Sequence, residues 1–306
     1  MAIQARFSPK PADVTIGLEV PYVQTGVSQL AILYPAIKKS TGFIFRGGHA
    51  ERNHPACGQF RHELVCPSCG HKEILKYSCH ELSCPECSDT WITRTATRSA
   101  ERFNACLAIY RIPAYHVKHV TFSPPQEWAI GILDSQGKEG LSILRHEFNK
   151  VLKKAGAKGA LSIFHACRKE HGQWVLSPHF HVLLVGYLQS SDSFFAQTGW
   201  VYKAIPNRGK RNAYATVSYQ LSHVFYYGDL ATGERIGNYH VLSWHGNFSY
   251  NKVMVDCVTY KLEPYSCPEC GDAMEELFDY VDHRWTDLFY VRRKYVRYKR
   301  KGSSVG

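Results

Sequence analysis

Two histidines separated by one residue, His179 and His181 in "SPHFHVLLVG", carry the clearest potential for chemistry. On a strand, residues i and i+2 point to the same side, so both imidazoles face one way and Phe180 faces the other. Two readings are open: a half-buried strand that happens to carry two histidines, or a divalent-metal platform. A third ligand favours the second. If the chain turns near Gly172, the preceding stretch "IFHACRK" runs back alongside, placing His165 opposite His179 and Cys167 opposite Ser177. Glu170 lies too close to the turn to serve.

The cysteines offer a different chemistry. Cys66-Pro-Ser-Cys69 and Cys84-Pro-Glu-Cys87 form two C-x2-C knuckles with fourteen residues between them. Each knuckle presents two thiolates on a tight turn, and the four predict one tetrahedral structural Zn²⁺. Cys57, Cys79, His62, His71 and His80 lie nearby as extra donors. A third pair, Cys267 and Cys270, predicts a second zinc once two further ligands join it, with Cys257 and His283 as candidates. Cys106 and Cys167 read as core residues.

Composition sets the partners. The chain has 306 residues, 44% of them apolar and 13% aromatic, with a formal net charge of +11. A basic chain of this kind suits a polyanion such as nucleic acid. The charge is densest in "RRKYVRYKRK", where Arg292, Arg293, Lys294, Arg297, Lys299, Arg300 and Lys301 interleave with Tyr295 and Tyr298. These residues can neutralise phosphates and stack on bases, or form a solvated, disordered end. The N-terminus lacks the apolar core of a signal peptide, and no run of about 18 apolar residues occurs. The expectation is a cytoplasmic protein without a membrane partner, whose cysteines are ligands or thiols rather than disulfides.

The elements that must position these groups follow from periodicity. "DTWITRTATRSAERFNACLAIY" reads as a helix with Trp91, Thr95, Arg98 and Arg102 near one face. "YHVKHVTFSPP" alternates as a strand up to a Pro-Pro stop. "GLSILRHEFNKVLKKAG" is an amphipathic helix ended by Gly156. A strand–turn–strand follows, then a polar stretch at about 188–212, a helix in "NAYATVSYQLSHVFYY", and a loop and strand in "NYHVLSWHGNFSYNKV". "SCPECG" precedes an acidic, aromatic helix and the basic tail. The fold class is α+β, an antiparallel sheet with helices packed on one face.

Three ordered segments resemble the HUH endonucleases, in particular the rolling-circle replication initiators (Rep proteins) of archaeal plasmids and viruses. "HVTFSPP" looks like the family's first motif, "PHFHVLLVG" like its His-apolar-His motif, and "SYQLSH" like the helix bearing its nucleophilic tyrosine. The knuckles and "FHACR" also look like the archaeal members. The resemblance covers about 57–270. It implies an HUH (RRM-like) nuclease core with zinc-ribbon elements: an N-terminal extension at 1–56, a Cys-rich module and helix at 57–108, the core at 109–235, and a C-terminal region at 236–306. It further implies a Mn²⁺ or Mg²⁺ ion held by His165, His179 and His181, and Tyr219 as nucleophile with His223 one helical turn on. The activity implied is sequence-specific nicking and joining of single-stranded DNA at an origin through a 5′-phosphotyrosine. Host helicase and polymerase are the partners implied. Two departures stand out: no Lys follows three residues after Tyr219, and the ligand set lacks a carboxylate. Tyr214, Tyr226 and Tyr227 are alternative nucleophiles. A transposase or relaxase of the same chemistry and a non-enzymatic zinc-ribbon DNA-binding regulator are the rival readings.

Overall fold

The structure is a computed structural model, and it describes residues 41–45, 56–206, 212–231, 233, 235–236, 240–278 and 284–302. In chain order the strands are β1 (Thr41–Phe45), β2 (Phe60–Val65) and β3 (Lys72–Lys76), then helix α1 (Ser88–Ile109) and β4 (Lys118–Ser123). Helices α2 (Gln126–Gln136) and α3 (Lys138–Lys154) lead into the hairpin β5 (Ala157–Glu170) and β6 (Gln173–Gly186). There follow α4 (Ser191–Thr198), β7 (Val201–Ile205), α5 (Ala213–Leu221), β8 (Phe225–Asp229) and β9 (Leu242–Gly246). The chain continues with β10 (Val253–Pro264), β11 (Glu275–Phe278), β12 (Arg284–Leu288) and β13 (Tyr290–Arg300). The class is α+β, with antiparallel sheets and five α-helices among the described residues.

The central sheet has the order β7-β4-β6-β5-β9, every neighbour antiparallel. Strand alternation divides its two faces. Phe122, Phe164 and Phe180 point to one side, where Phe148 of α3 stacks on Phe180 at 4.1 Å and 3°. Leu141, Leu144, Phe148, Val151 and Leu152 of α3 are all buried there, as the helical spacing predicts. The helix ends at Lys154, and Gly156 follows with φ +97°. The opposite face carries the histidines and receives α5, whose buried Val217 packs with α1 in the same core.

Sequence and structure differ in several places. The helix expected over "NAYATVSYQLSHVFYY" ends at Leu221, and Phe225–Asp229 is a strand paired with β1, because Phe225 and Tyr226 are buried in the core on extended backbone. The polar stretch after β6 holds α4 and β7, and β7 caps the sheet edge beside β4. The segment after Cys270 is not a helix: Glu275–Phe278 is a strand, paired between β2 and β12 in a four-stranded sheet. This sheet joins residues from both ends of the chain, so backbone pairing overrides the local pattern. The basic tail is β13, a strand hydrogen-bonded along its length to β10. No described helix is long and apolar enough to cross a membrane.

Candidate metal centre

The β5–β6 hairpin turns at His171 and Gly172, both with positive φ (49° and 86°), the backbone of a two-residue hairpin loop. From this turn Glu170 pairs with Gln173 and Cys167 with Leu176, not with Ser177. Extending that register would set His165 opposite Pro178. A β-bulge intervenes: one residue of β5, Ala166, faces two of β6, Ser177 and Pro178. Beyond it His165 pairs with His179, which puts both imidazoles on one face. Pro178 suits this place, since a bulged residue need not donate to the ladder. Gln126, in the first turn of α2, clamps the bulge. Its Nε2 donates to the Pro178 carbonyl (3.2 Å) and the Pro124 carbonyl (3.0 Å), and the Ser177 hydroxyl donates to its Oε1 (3.0 Å).

The three rings converge. Centroids lie 5.2 Å apart for His165–His179, 4.6 Å for His165–His181 and 5.0 Å for His179–His181. One nitrogen from each lies within 4.8 Å of the others. His165 and His179 are buried and His181 half-buried. The nitrogens divide as metal ligands do. His179 Nδ1–H donates to the Ser177 carbonyl at 2.7 Å, leaving Nε2 with its lone pair. His181 Nδ1 meets the Thr121 hydroxyl at 3.3 Å. His165 Nε2 is buried with no hydrogen-bond partner among the described residues. Burial, then the neighbouring His181 and His179, holds His165 well below the usual imidazole range. Burial followed by His179, His119 and His223 pushes His181 down to about 2. All three rings are therefore neutral, with lone pairs to offer. An unsatisfied buried nitrogen among three such donors fits a divalent ion, and an all-nitrogen set suits a transition ion best.

Helix α5 lies against this face. Asn212 caps it by accepting from the Ala215 N–H at 2.7 Å. The His165 ring donates to the Gln220 backbone carbonyl. Tyr219 is 57% exposed, so its hydroxyl can meet a substrate, and its ring lies 4.7 Å from that of His223. His223 Nδ1–H donates to the Tyr219 carbonyl at 2.9 Å, turning Nε2 outward from the helix end. Of the alternative tyrosines, Tyr226 is fully buried and donates to the Gly233 carbonyl at 2.7 Å, a core role. Tyr227 bonds Thr41 at 2.8 Å, and Tyr214 lies in the first turn of α5. Sequence reasoning missed His119 and Thr121. His119 lies 5.6 Å from His181 and accepts from Gln220 Nε2 at 3.4 Å; Thr121 pairs with His181 across the sheet. Their i, i+2 spacing in "KHVTFS" is the signal that would have found them.

The cysteine knuckles regroup. Cys66 and Cys69 do not join Cys84 and Cys87; they meet Cys267 and Cys270, while Cys84 and Cys87 meet Cys57 and Cys79. Sulfurs lie 3.4 Å apart for Cys66–Cys270, 3.6 Å for Cys69–Cys267, 3.5 Å for Cys57–Cys84 and 3.7 Å for Cys79–Cys87. A tetrahedron with Zn–S bonds of about 2.3 Å has edges of about 3.8 Å, so either quartet can hold a metal such as zinc. The partnership is physical: "CPSCG" and "CPECG" build matching turns. Gly70 donates to the Cys66 carbonyl (2.8 Å) and Gly271 to the Cys267 carbonyl (2.9 Å), with φ of +73° and +83°. The Cys84 knuckle runs straight into α1 instead. Cys257 joins neither quartet, and His283 lies outside the described residues. His62 pairs with Glu276, and His80 with Ser78 and Arg94. Cys106 and Cys167 are buried in the core.

Along β13 part of the positive charge is neutralised. Arg297 and Lys299 pair with Asp256, and Arg293 with Glu263. Arg292 lies over Tyr260 and Arg300 over Tyr110. No family model, curated protein or solved structure matches the chain.

Proposed function

We propose that the protein is an HUH-type endonuclease that nicks and joins single-stranded DNA at an origin and so initiates rolling-circle replication. The convergence of His165, His179 and His181 beside the helix bearing Tyr219 and His223 carries this reading. The three histidines hold Mn²⁺ or Mg²⁺, which when bound polarises the scissile phosphate and offsets its growing charge. Tyr219 supplies the nucleophile. Its phenol gives up its proton as the oxygen bonds to phosphorus, the P–O3′ bond breaks, and the departing oxygen takes up a proton as a free 3′-OH. His223 orients the phenol. The 5′-phosphotyrosine keeps the energy of the phosphoester, so a 3′-OH can later reverse the step without ATP. The nitrogen-rich ligand set favours Mn²⁺ over Mg²⁺. The two cysteine quartets hold structural zinc, β13 contributes to DNA binding, and host helicase and polymerase extend the free 3′-OH.

The test is a labelled single-stranded origin oligonucleotide incubated with Mn²⁺ or Mg²⁺, with cross-linked peptides identified by mass spectrometry. The expected product is a covalent adduct at Tyr219 that Tyr219→Phe abolishes. Absence of cleavage with either ion would overturn the assignment. A transposase or relaxase would show the same chemistry on a different strand. A non-enzymatic zinc-ribbon regulator, which the two thiolate quartets also suit, would bind DNA unaffected by Tyr219→Phe.

A further inference from the structure

A second feature lies away from the histidines. Helix α1, strand β9 and the β10–β13 ribbon enclose a groove of about 1120 Å³ that shares no lining residue with the histidine cluster, Tyr219 or His223. Its cations come from four parts of the chain: Arg94, Arg98 and Arg102 of α1, Arg145 of α3, Arg235, and Lys294 of β13. Glu101 is the one carboxylate in the lining. Arg235 pairs with Glu81 outside the groove. Among the described residues no carboxylate forms an ion pair with Arg94, Arg98, Arg102 or Lys294.

Arg102 places a positive charge at the floor of the groove. It is 3% exposed, and its Nη2 donates to the carbonyls of Phe248 (3.1 Å) and Val253 (2.9 Å). Its guanidinium lies 5.0 Å from the Trp244 ring, 4.1 Å from Tyr250 and 5.7 Å from Tyr298. The buried charge thus sits in a cage of rings and carbonyls, with no anion of the protein to neutralise it. Arg98 and Lys294 are exposed, and Tyr250 is 68% exposed at the rim.

We infer that this groove is a binding track for single-stranded DNA, separate from the cleavage site. Arg94, Arg98 and Lys294, which no carboxylate neutralises, contact phosphates, and the rim aromatics stack on bases, which only an unpaired strand presents. The choice of DNA rests on the strand-transfer reading above. The groove would then hold the strand at the β9 edge of the sheet while the histidine face cuts it.

The test is fluorescence anisotropy with a labelled single-stranded oligothymidylate, without added divalent metal, across a salt series. Arg94→Ala/Arg98→Ala/Lys294→Ala should weaken binding at least about tenfold and lower the salt slope by about 2, at about 0.7 per lost phosphate contact. Arg98→Ala, on an exposed position, should show a smaller change of the same kind. Tyr250→Ala should weaken binding about fivefold or more without changing the slope. Unchanged affinity and slope in the cation variants, or tighter binding of the matching duplex, would overturn the inference. Tyr219→Phe should bind as the parent does. A protein that binds through the groove yet forms no covalent adduct would sink the nuclease assignment alone. Cleavage that survives with binding indifferent to the groove would sink this one alone.

Discussion

The regrouped cysteines give the sharpest test. Zinc released by mercurial titration of the thiols should be two per chain. Replacing one knuckle of the long-range quartet, Cys66→Ser/Cys69→Ser, should leave one zinc, and so should Cys267→Ser/Cys270→Ser. Combining the two should remove no more, whereas Cys66→Ser/Cys69→Ser with Cys84→Ser/Cys87→Ser should leave none. The two ions also differ in how they depend on the fold. Cys69 and Cys267 lie 198 residues apart, Cys57 and Cys84 only 27. Closing the longer loop in an otherwise unfolded chain costs about 2 kcal/mol more, or about twentyfold in zinc affinity. In a urea titration with a chromogenic chelator, the first zinc to leave should therefore be the one missing from Cys267→Ser/Cys270→Ser. Retention of both zincs in that variant, or release in the opposite order, would refute the grouping.

Four further outcomes follow from the packing around the histidines. Phe148→Ala removes the ring stacked on Phe180 and leaves a cavity behind the histidine strand. It should cost about 3–5 kcal/mol in denaturant melts, and a loss under about 1 kcal/mol would contradict the stack's role. Gln126→Ala breaks its two hydrogen bonds to the Ser177–Pro178 bulge and a third to the Pro124 carbonyl, and should cost about 2 kcal/mol. It should also weaken Mn²⁺ binding measured by calorimetry; unchanged affinity would mean the bulge holds without its clamp. Tyr226→Phe strands the buried Gly233 carbonyl and should lose about 1–2 kcal/mol while leaving strand cleavage intact. Loss of cleavage at full stability would reverse its assignment to the core. Burial, then Arg145, pushes His245 down to about 4 while it bonds Ser162 at 2.6 Å. The unfolded chain takes up this proton near pH 6.5 and the folded one does not, so stability should fall by about 3 kcal/mol between pH 6.5 and 4. His165, His179 and His181, also held low, add to that fall; His245→Gln should make the slope shallower by the His245 share alone, and an unchanged slope would exclude His245 as a contributor.

Much of this was legible in the residues. The alternation of "SPHFHVLLVG" placed Phe180 in the core and both histidines on the opposite face, and the spacing of Leu141, Leu144 and Phe148 gave the helix that Phe180 packs on. The pairing of His165 with His179 was also read, from a turn near Gly172. The path to it was not. The turn lies half a step earlier, and the bulge restores the register, so Cys167 meets Leu176 rather than Ser177. Hairpin length shows in sequence; an extra residue in one strand does not. The knuckles were read as neighbours because they are near in sequence, yet zinc selects partners in space. The matching glycines after Cys69 and Cys270 were the available sign, since each must adopt a positive φ that the residue after Cys87 need not.

The bulge and the aromatic layer solve one problem between them. A metal platform needs three side chains held in fixed geometry, and a two-stranded hairpin alone would not hold them. Phe164 and Phe180, one residue from His165 and from each of His179 and His181, are buried and packed on each other, and Phe180 stacks on Phe148. Each histidine's backbone is therefore fixed by a neighbour on the far face. The bulge then shifts one strand by a single residue, which decides whether His165 faces the pair or the core. The cluster is thus specified twice, by packing behind it and by register beside it. A sequence in which only the histidines were kept would not rebuild the site.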